Sequence, residues 1–195
     1  MKILIAYATT DGQSRKIARF AADRLADSGH AVELLCVDDA KGLDLTRFHG
    51  VIVGGSGHMG GYQKALTRFV TEAQTALGGR RRLAADGAWW QTALGGKPSL
   101  MLSVSLSAAG TDAEDWAGIH KCVAQFEADT GWIPGRVEPV AGAFRFSEYD
   151  FFRAWAMRRI ADQKGETIEA GKDKEYTDWD KLGAVLDDWA AGIAA

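Results

Sequence analysis

The chain has 195 residues, of which 47% are hydrophobic and 25% are charged, and its formal net charge is -3. These values predict one globular domain with a substantial core, and the net charge gives no reason to expect a nucleic-acid partner. Cys36 and Cys122 lack metal-ligand spacing. Both are therefore expected to be buried apolar side chains in a reducing compartment, and no metal site is predicted. The first residues do not have the pattern of a signal peptide, and no apolar run approaches the roughly 20 residues of a membrane span.

The first part of the chain predicts a strand, a helix and a second strand. Met1–Ala6 is a short apolar run typical of a buried strand, and Ala31–Val37 has the composition of another. Arg15–Leu25 predicts the helix, which is expected to end near Gly29. Its apolar residues at helical spacing are Ile17, Ala18, Ala21 and Leu25.

The turn between the first strand and this helix carries candidate ligand-binding residues. They are Thr9, Thr10, Asp11, Gly12, Gln13 and Ser14. A helix start offers unpaired N–H groups and the positive end of the dipole, so hydroxyls and an amide there form a plausible anion cradle. The turn has neither the Walker A pattern nor Gly-x-Gly-x-x-Gly, which favours a phosphate monoester over a dinucleotide pyrophosphate. The alternative is a well-capped helix start that binds no ligand.

The middle of the chain predicts two further strand–helix units. They are separated by residues 78–97, which we interpret as an excursion or a helix extension in which Trp89 and Trp90 are packing residues. The predicted elements are the strand Val51–Val53, the helix Gln63–Leu77, a strand within Pro98–Leu106, and a helix that Thr111 or Asp112 caps and that ends near Thr130.

The last part of the chain predicts a fifth strand and two more helices. Pro139 indicates that the strand lies near an edge of the sheet or at a strand start. Thr177 is expected to cap the final helix, with Asp180 three residues later as a near capping box. The predicted elements are the strand Val137–Phe144, the helix Tyr149–Gln163, a loop within residues 164–176, and a final helix with Leu182, Val185, Leu186 and Trp189 facing inward.

Alternation of strands and helices predicts a parallel α/β sheet of five strands with right-handed crossovers. Ligands of such sheets bind beyond the carboxyl ends of the strands. Three loops rich in hydroxyls or glycine lie there, and the first is Thr9–Ser14. The candidates in the other two loops are Ser56, Gly57, His58, Met59 and Tyr62, and then Ser105, Leu106, Ser107 and Gly110. No Ser-His-Asp arrangement can be assembled from the sequence. His58 is either a surface histidine or a residue that contacts the edge of a ligand ring or relays a proton.

Three stretches also match a known pattern. They are Thr9-Thr10-Asp11-Gly12-Gln13-Ser14, then Gly142-Ala143-Phe144-Arg145-Phe146 with Tyr149, and Gly165-Glu166-Thr167 followed by Tyr176-Thr177-Asp178-Trp179. On these residues the chain resembles the flavodoxin-like family, and within it the quinone-dependent protoporphyrinogen dehydrogenases. The last stretch is the most specific because ordinary flavodoxins lack it. The resemblance extends from Met1 to Trp179.

The resemblance implies one flavodoxin-like domain over residues 1–195, a three-layer sandwich whose parallel sheet has the order 2-1-3-4-5. It implies FMN, with its phosphate on Thr9–Ser14 and its ring between the other two loops. The implied activity is oxidation of a porphyrinogen in haem biosynthesis, with electrons passed to a membrane quinone and no protein side chain acting as a nucleophile or base. The implied location is the cytoplasm, with a peripheral contact to the inner face of the cell membrane through Phe151, Phe152 and Trp155. An ordinary helix packed on the sheet is the alternative for that segment.

Two alternatives to this function stay open at the level of sequence. One is a flavodoxin-type electron carrier, although such carriers tend to be more strongly acidic than this chain. The other is a flavodoxin-like protein without flavin, because His58 and Met59 stand where the family has an Arg-Tyr pair.

Overall fold

The computed structural model describes residues 1–57, 61–75, 94, 96–144 and 173–194. Seven strands and four helices lie in these ranges. The strands are β1 (Lys2–Tyr7), β2 (Ala31–Cys36), β3 (Gly50–Ser56), β4 (Ser99–Ser105), β5 (Arg136–Ala141), β6 (Ala143–Phe144) and β7 (Lys174–Glu175). The helices are α1 (Gln13–Asp27), α2 (Lys64–Thr75), α3 (Ala113–Thr130) and α4 (Trp179–Ala194).

Five strands form one parallel sheet in the order β2-β1-β3-β4-β5, which confirms the predicted order. Strand β1 lies between β2 and β3 and is covered on both faces, which is why its sequence is apolar without alternation. Ile3 and Ile5 pack with α1 and α4 on one face, whereas Leu4 and Ala6 pack with α2 and α3 on the other. The result is a three-layer sandwich of helices, sheet and helices.

The inward faces predicted for the first and last helices are confirmed. Ile17, Ala18, Ala21 and Leu25 of α1 are buried in the same core as Leu182, Val185, Leu186 and Trp189 of α4. At the rim of this layer, Arg24 donates two hydrogen bonds to the Asp187 carboxylate, of 2.9 and 2.6 Å. The pKa of Asp187 is lowered, first by this hydrogen bonding and then by the positive charge of Arg24.

The predicted fifth strand is divided at Gly142. Its N–H donates to the Ser105 carbonyl over 3.0 Å, and its carbonyl accepts from the N–H of Tyr176 over 3.0 Å. After this residue the chain forms β6, which pairs with β7 as an antiparallel ribbon. Residues 174 and 175, predicted as loop, are therefore strand. The edge position inferred from Pro139 is confirmed because β5 is the last strand of the sheet.

The final helix begins later than predicted. Its N-terminal cap is Asp178, whose Oδ1 accepts from the N–H of Lys181 over 2.9 Å. The prediction that Thr177 caps this helix is wrong because its hydroxyl bonds elsewhere. At α3, one of the two predicted caps is confirmed, since Asp112 Oδ1 accepts from the N–H of Glu114 over 2.8 Å.

Some predictions fall outside the described residues. These are His58 and Met59, Trp89 and Trp90 with most of residues 78–97, the helix Tyr149–Gln163 with Phe151, Phe152 and Trp155, Arg145–Phe146, and Gly165–Thr167. Cys36 and Cys122 are free thiols and are half-buried, so full burial was a wrong expectation for both. In the described ranges, no helix combines the length and the apolar composition needed to cross a membrane.

Candidate functional site

Three loops meet at one edge of the sheet because the strands before them are hydrogen-bonded neighbours. Tyr7 of β1 pairs with Gly54 of β3, and the N–H of Ala8 donates to the Gly54 carbonyl over 2.9 Å. Beyond β3, the N–H of Gly57 donates to the carbonyl of Val104 in β4, also over 2.9 Å. The loops after β1, β3 and β4 therefore lie side by side at the carboxyl edge, where parallel sheets bind ligands.

The loop after β1 enters α1 through Gly12. This residue has a φ of 84°, a left-handed conformation that favours glycine, and its N–H donates to the Thr9 hydroxyl oxygen over 2.9 Å. The first hydrogen bond of the helix runs from the N–H of Lys16 to the Gly12 carbonyl over 3.1 Å. The N–H groups of residues 13–15 come before that of Lys16 and are the groups that a helix start leaves without an acceptor inside the helix. The start of α1 therefore has the donors of an anion site.

The side chains of this loop add polar groups to the helix start. Thr9 accepts a hydrogen bond from Gly12, and Thr10 accepts one from Gln63, so each hydroxyl keeps a proton to donate. Ser14 is buried, with 2% of its surface exposed. Asp11 Oδ1 is also buried and has no hydrogen-bond partner in the described part of the chain. A buried carboxylate oxygen of this kind can accept from a ligand hydroxyl.

Gln63 joins the first loop to the second, a role that the sequence analysis missed. Its Oε1 accepts from the N–H of Ser56 over 3.2 Å, and its Nε2 donates to the Ser56 hydroxyl. The same Nε2 lies 3.5 Å from the Thr10 hydroxyl oxygen. Gly55 permits this approach because a Cβ at that position would lie 3.1 Å from Gln63 Oε1. The only sequence signal was an amide at the start of α2, directly after the glycine-rich loop.

Gln13 joins the first loop to the C-terminal part of the chain. Its Nε2 donates to the Thr177 hydroxyl oxygen over 2.9 Å, and this hydroxyl donates to the Ala141 carbonyl over 2.6 Å. Gln13 and Thr177 are both buried, with 7% and 9% of their surfaces exposed. The most specific matching stretch of the sequence therefore lies against the start of α1, a contact that local pattern did not reveal.

The third loop is held by its own serines. The Ser105 hydroxyl oxygen accepts from the N–H of Ala108 over 3.3 Å, and the Ser107 hydroxyl donates to Asp115 Oδ1 over 3.2 Å. The carbonyl of Gly110 accepts from the indole N–H of Trp116 over 3.0 Å. Leu106 precedes the short 3-10 turn Ser107–Ala109 that these bonds define. The loop is therefore shaped from within, beside the loop that follows β3.

Tyr62 lies between the site and the core under α3. Its hydroxyl is 2.7 Å from the hydroxyl of Ser103, and its ring packs edge-on against Phe126 at a centroid distance of 5.1 Å. Burial raises the pKa of Tyr62 to about 12, although the hydrogen bond to Ser103 opposes the shift. A Cβ on Gly57 would lie 3.9 Å from the edge of this ring, so Tyr62 is also next to the second loop. Its contact with a bound ligand stays a prediction.

Comparison with known proteins agrees with this architecture. Residues 4–85 match the family model described as flavodoxin domain. The crystal structure of oxidised Flavodoxin 1 from Bacillus cereus aligns with a TM-score of 0.53 and 12% identity, over 98% of each chain. At this identity the likeness shows the fold, which is that of flavodoxins.

Two curated relatives match along most of the chain. The protein named Protoporphyrinogen IX dehydrogenase [quinone] of Escherichia coli strain K12 is 26% identical over 182 residues, which are 93% of this chain and 91% of that one. The protein of the same name from Leishmania major is 26% identical over 191 residues, which are 97% of this chain and 75% of that one. The chain thus has the flavodoxin fold and, over nearly its whole length, resembles proteins named protoporphyrinogen IX dehydrogenase.

Proposed function

We propose that the protein is an FMN-dependent oxidoreductase that oxidises a porphyrinogen and passes the electrons to a quinone. The observation that carries the flavin part is the donor set at the start of α1, beside two further loops at the same sheet edge. The choice of porphyrinogen and quinone rests on the relatives, whose names state both.

The residues present fit the phosphate end of FMN. The N–H groups of residues 13–15 and the hydroxyls of Thr9, Thr10 and Ser14 can surround a phosphate dianion with neutral donors. Asp11 Oδ1, which has no hydrogen-bond partner among the described residues, suits a ligand that carries hydroxyl groups, as the ribityl chain of FMN does. Asp11 and Gly12 bring the chain into the turn that directs these donors to one place.

The ring of FMN would lie between the loop Ser56–Tyr62 and the loop Ser105–Asp112. When bound, the flavin supplies the redox chemistry, and the chain supplies orientation and exclusion of water. The Gln63 bridge holds the Ser56 backbone at one side of this space, and the internal bonds of Ser105 and Ser107 hold the other side. In this proposal, the quinone reaches the protein at the cytoplasmic face of the membrane, and the segment Tyr149–Gln163, which the sequence predicts to be a helix, makes the contact with that face.

The first test is an absorbance spectrum of the protein purified with added FMN, followed by an anaerobic porphyrinogen titration. We expect a flavin spectrum that survives dialysis, bleaching by the porphyrinogen, and recovery when a quinone is added. If the protein binds FMN but the porphyrinogen does not reduce it, the flavodoxin-type electron carrier would be the remaining function. A protein without a flavin peak after dialysis would contradict the proposal altogether.

The second test is the double variant Thr10→Ala and Ser14→Ala. Each lost hydrogen bond to phosphate is worth roughly 1 kcal/mol or more, so the Kd for FMN is expected to rise roughly thirtyfold for two bonds. The matched control is Ser28→Ala with Thr46→Ala, which removes two hydroxyls that bond Arg24 and Asp44 away from the site. If the Kd for FMN were unchanged in the variant with Thr10→Ala and Ser14→Ala, the assignment of these residues to the phosphate would be refuted.

A further inference from the structure

The segment from Glu175 to Trp179, which we name the C-terminal clasp, lies along one face of α1. Alternate residues of the clasp contact residues of α1 that are three and four positions apart, as neighbours on one helical face are. Lys16 Nζ lies 2.6 Å from a Glu175 carboxylate oxygen, and the ring of Phe20 lies 4.9 Å from that of Trp179. The clasp therefore covers the first two turns of α1, directly after the proposed phosphate loop.

Thr177 is the buried centre of the clasp. Its hydroxyl proton is committed to the Ala141 carbonyl at the end of β5, over 2.6 Å. The oxygen of the same hydroxyl accepts the side-chain amide of Gln13 over 2.9 Å. One hydroxyl thus connects the edge strand of the sheet to the first residue of α1, which lies 164 positions before Thr177 in the sequence.

The outer contacts of the clasp surround this connection. Partial burial opposes ionisation of Glu175, but hydrogen bonds from Lys16 and Trp179 outweigh it and hold the pKa of this carboxyl below its ordinary value. The nearby side-chain amide of Gln13 also lowers the pKa of Glu175. The Lys16–Glu175 pair is largely exposed, and such pairs contribute little to stability. The Thr177 hydroxyl is the member that combines burial with two short bonds.

We propose that Thr177 is a positioning residue for the phosphate end of the flavin site and that it acts through Gln13, an inference that rests on the proposed function. The turn before Gln13 contains the left-handed Gly12, where the direction of the chain changes. Fixing the Gln13 side chain to β5 fixes the orientation of the first N–H groups of α1. A site held in its binding geometry before the ligand arrives spends less binding free energy on ordering.

The test compares Thr177→Val with a control that removes an equivalent hydroxyl elsewhere. Thr130 is 6% exposed, and its hydroxyl donates to the Phe126 carbonyl over 2.7 Å and accepts from the N–H of Trp132 over 3.2 Å. Thr130→Val therefore removes the same number of buried bonds at the far end of α3. Free energy of unfolding and the Kd for FMN, from flavin fluorescence quenching, are measured for both variants and for Thr177→Ser.

We expect Thr177→Val to raise the Kd for FMN roughly fivefold or more, which corresponds to at least one hydrogen bond. Thr130→Val is expected to lose similar stability and to leave the Kd within about twofold of wild type. Thr177→Ser keeps the hydroxyl and should retain nearly wild-type affinity. A Kd that rises no more in Thr177→Val than in Thr130→Val would overturn the positioning role.

A double-mutant cycle tests the route through Gln13 and covers the case in which Thr177→Val does not fold. Gln13→Met keeps the backbone N–H and the side-chain length but cannot bond to Thr177, so it should raise the Kd by a similar factor. In the Gln13→Met background, Thr177→Val should add no further rise. Independent, multiplicative effects, or a wild-type Kd in Gln13→Met alone, would overturn the route. Wild-type protein that binds no FMN would overturn the proposed function and this inference together, whereas normal wild-type binding with unaffected variants would overturn the inference alone.

Discussion

Replacement of Gln63 by alanine tests whether the loops of the site depend on one another. The side-chain amide has two hydrogen bonds to Ser56, one to its N–H and one to its hydroxyl, and a longer contact to Thr10. The backbone of Gln63 accepts from the N–H groups of Leu66 and Thr67, and the substitution does not change these bonds. The variant thus removes the bridge and leaves the start of α2 in place.

The magnitude follows from the bonds that are lost. Each neutral hydrogen bond to Ser56 contributes about 1 kcal/mol net, and the 3.5 Å contact to Thr10 contributes less. We expect Gln63→Ala to lower the free energy of unfolding by about 1–2 kcal/mol. For a chain of this length, each kcal/mol corresponds to a Tm lowered by about 2–4 °C. The Kd for FMN is expected to rise up to roughly tenfold, because Thr10 and Ser56 lose their shared support.

The assay is urea unfolding of the FMN-free protein together with FMN titration. Gln125→Ala is the matched control, because the Gln125 side chain makes an exposed hydrogen bond of 2.7 Å to Asp129 on α3, away from the site. Surface substitutions of this kind change stability by less than about 0.5 kcal/mol. If Gln63→Ala matched Gln125→Ala in both measurements, the bridge between the loops would have no energetic role and the reasoning would be refuted.

Two further predictions concern pH. Because the pKa of Glu175 is lowered from 4.5 in the folded protein, its carboxylate adds stability above that pH, and this contribution disappears as the pH falls through the lowered value. Wild type should therefore exceed Glu175→Gln in unfolding free energy at neutral pH, and the difference should shrink in acid; a difference independent of pH would argue against the hydrogen-bonded carboxylate. The pKa of Tyr62 is raised from 10.0 to about 12, so the fold favours the neutral phenol and loses stability as the pH rises between these values. In ultraviolet titration, folded wild type and Tyr62→Phe should show equal phenolate absorbance near pH 10 and diverge only on approach to about pH 12. If the two proteins already differed near pH 10 by the absorbance of one tyrosinate, the Tyr62 hydroxyl would not be buried as described.

The sequence by itself determined the order of the elements and the edge of the sheet at which we propose that a ligand binds. Met1–Ala6 and Val51–Val53 are apolar without alternation because a parallel sheet covered by helices buries both faces of its strands. The loops follow from this order, because all strands of a parallel sheet end at the same edge. The hydroxyls and the glycine of Thr9–Ser14 mark the start of α1 through short-range chemistry, which local pattern can predict.

Only the tertiary structure decided which side chains connect these loops. Thr177 is a residue type that favours helix N-caps, and its spacing to Asp180 is that of a near capping box. The cap of α4 is nevertheless Asp178, and the Thr177 hydroxyl bonds to Gln13 and Ala141. Gln63 looks like an ordinary first residue of a helix, yet it reaches Thr10, which is 53 positions earlier. A polar side chain selects its partner from whatever the completed sheet brings within about 3 Å, and that choice has no period or spacing in the sequence. Local pattern therefore predicted where the candidate site lies, whereas long-range packing decided which side chains hold its loops together.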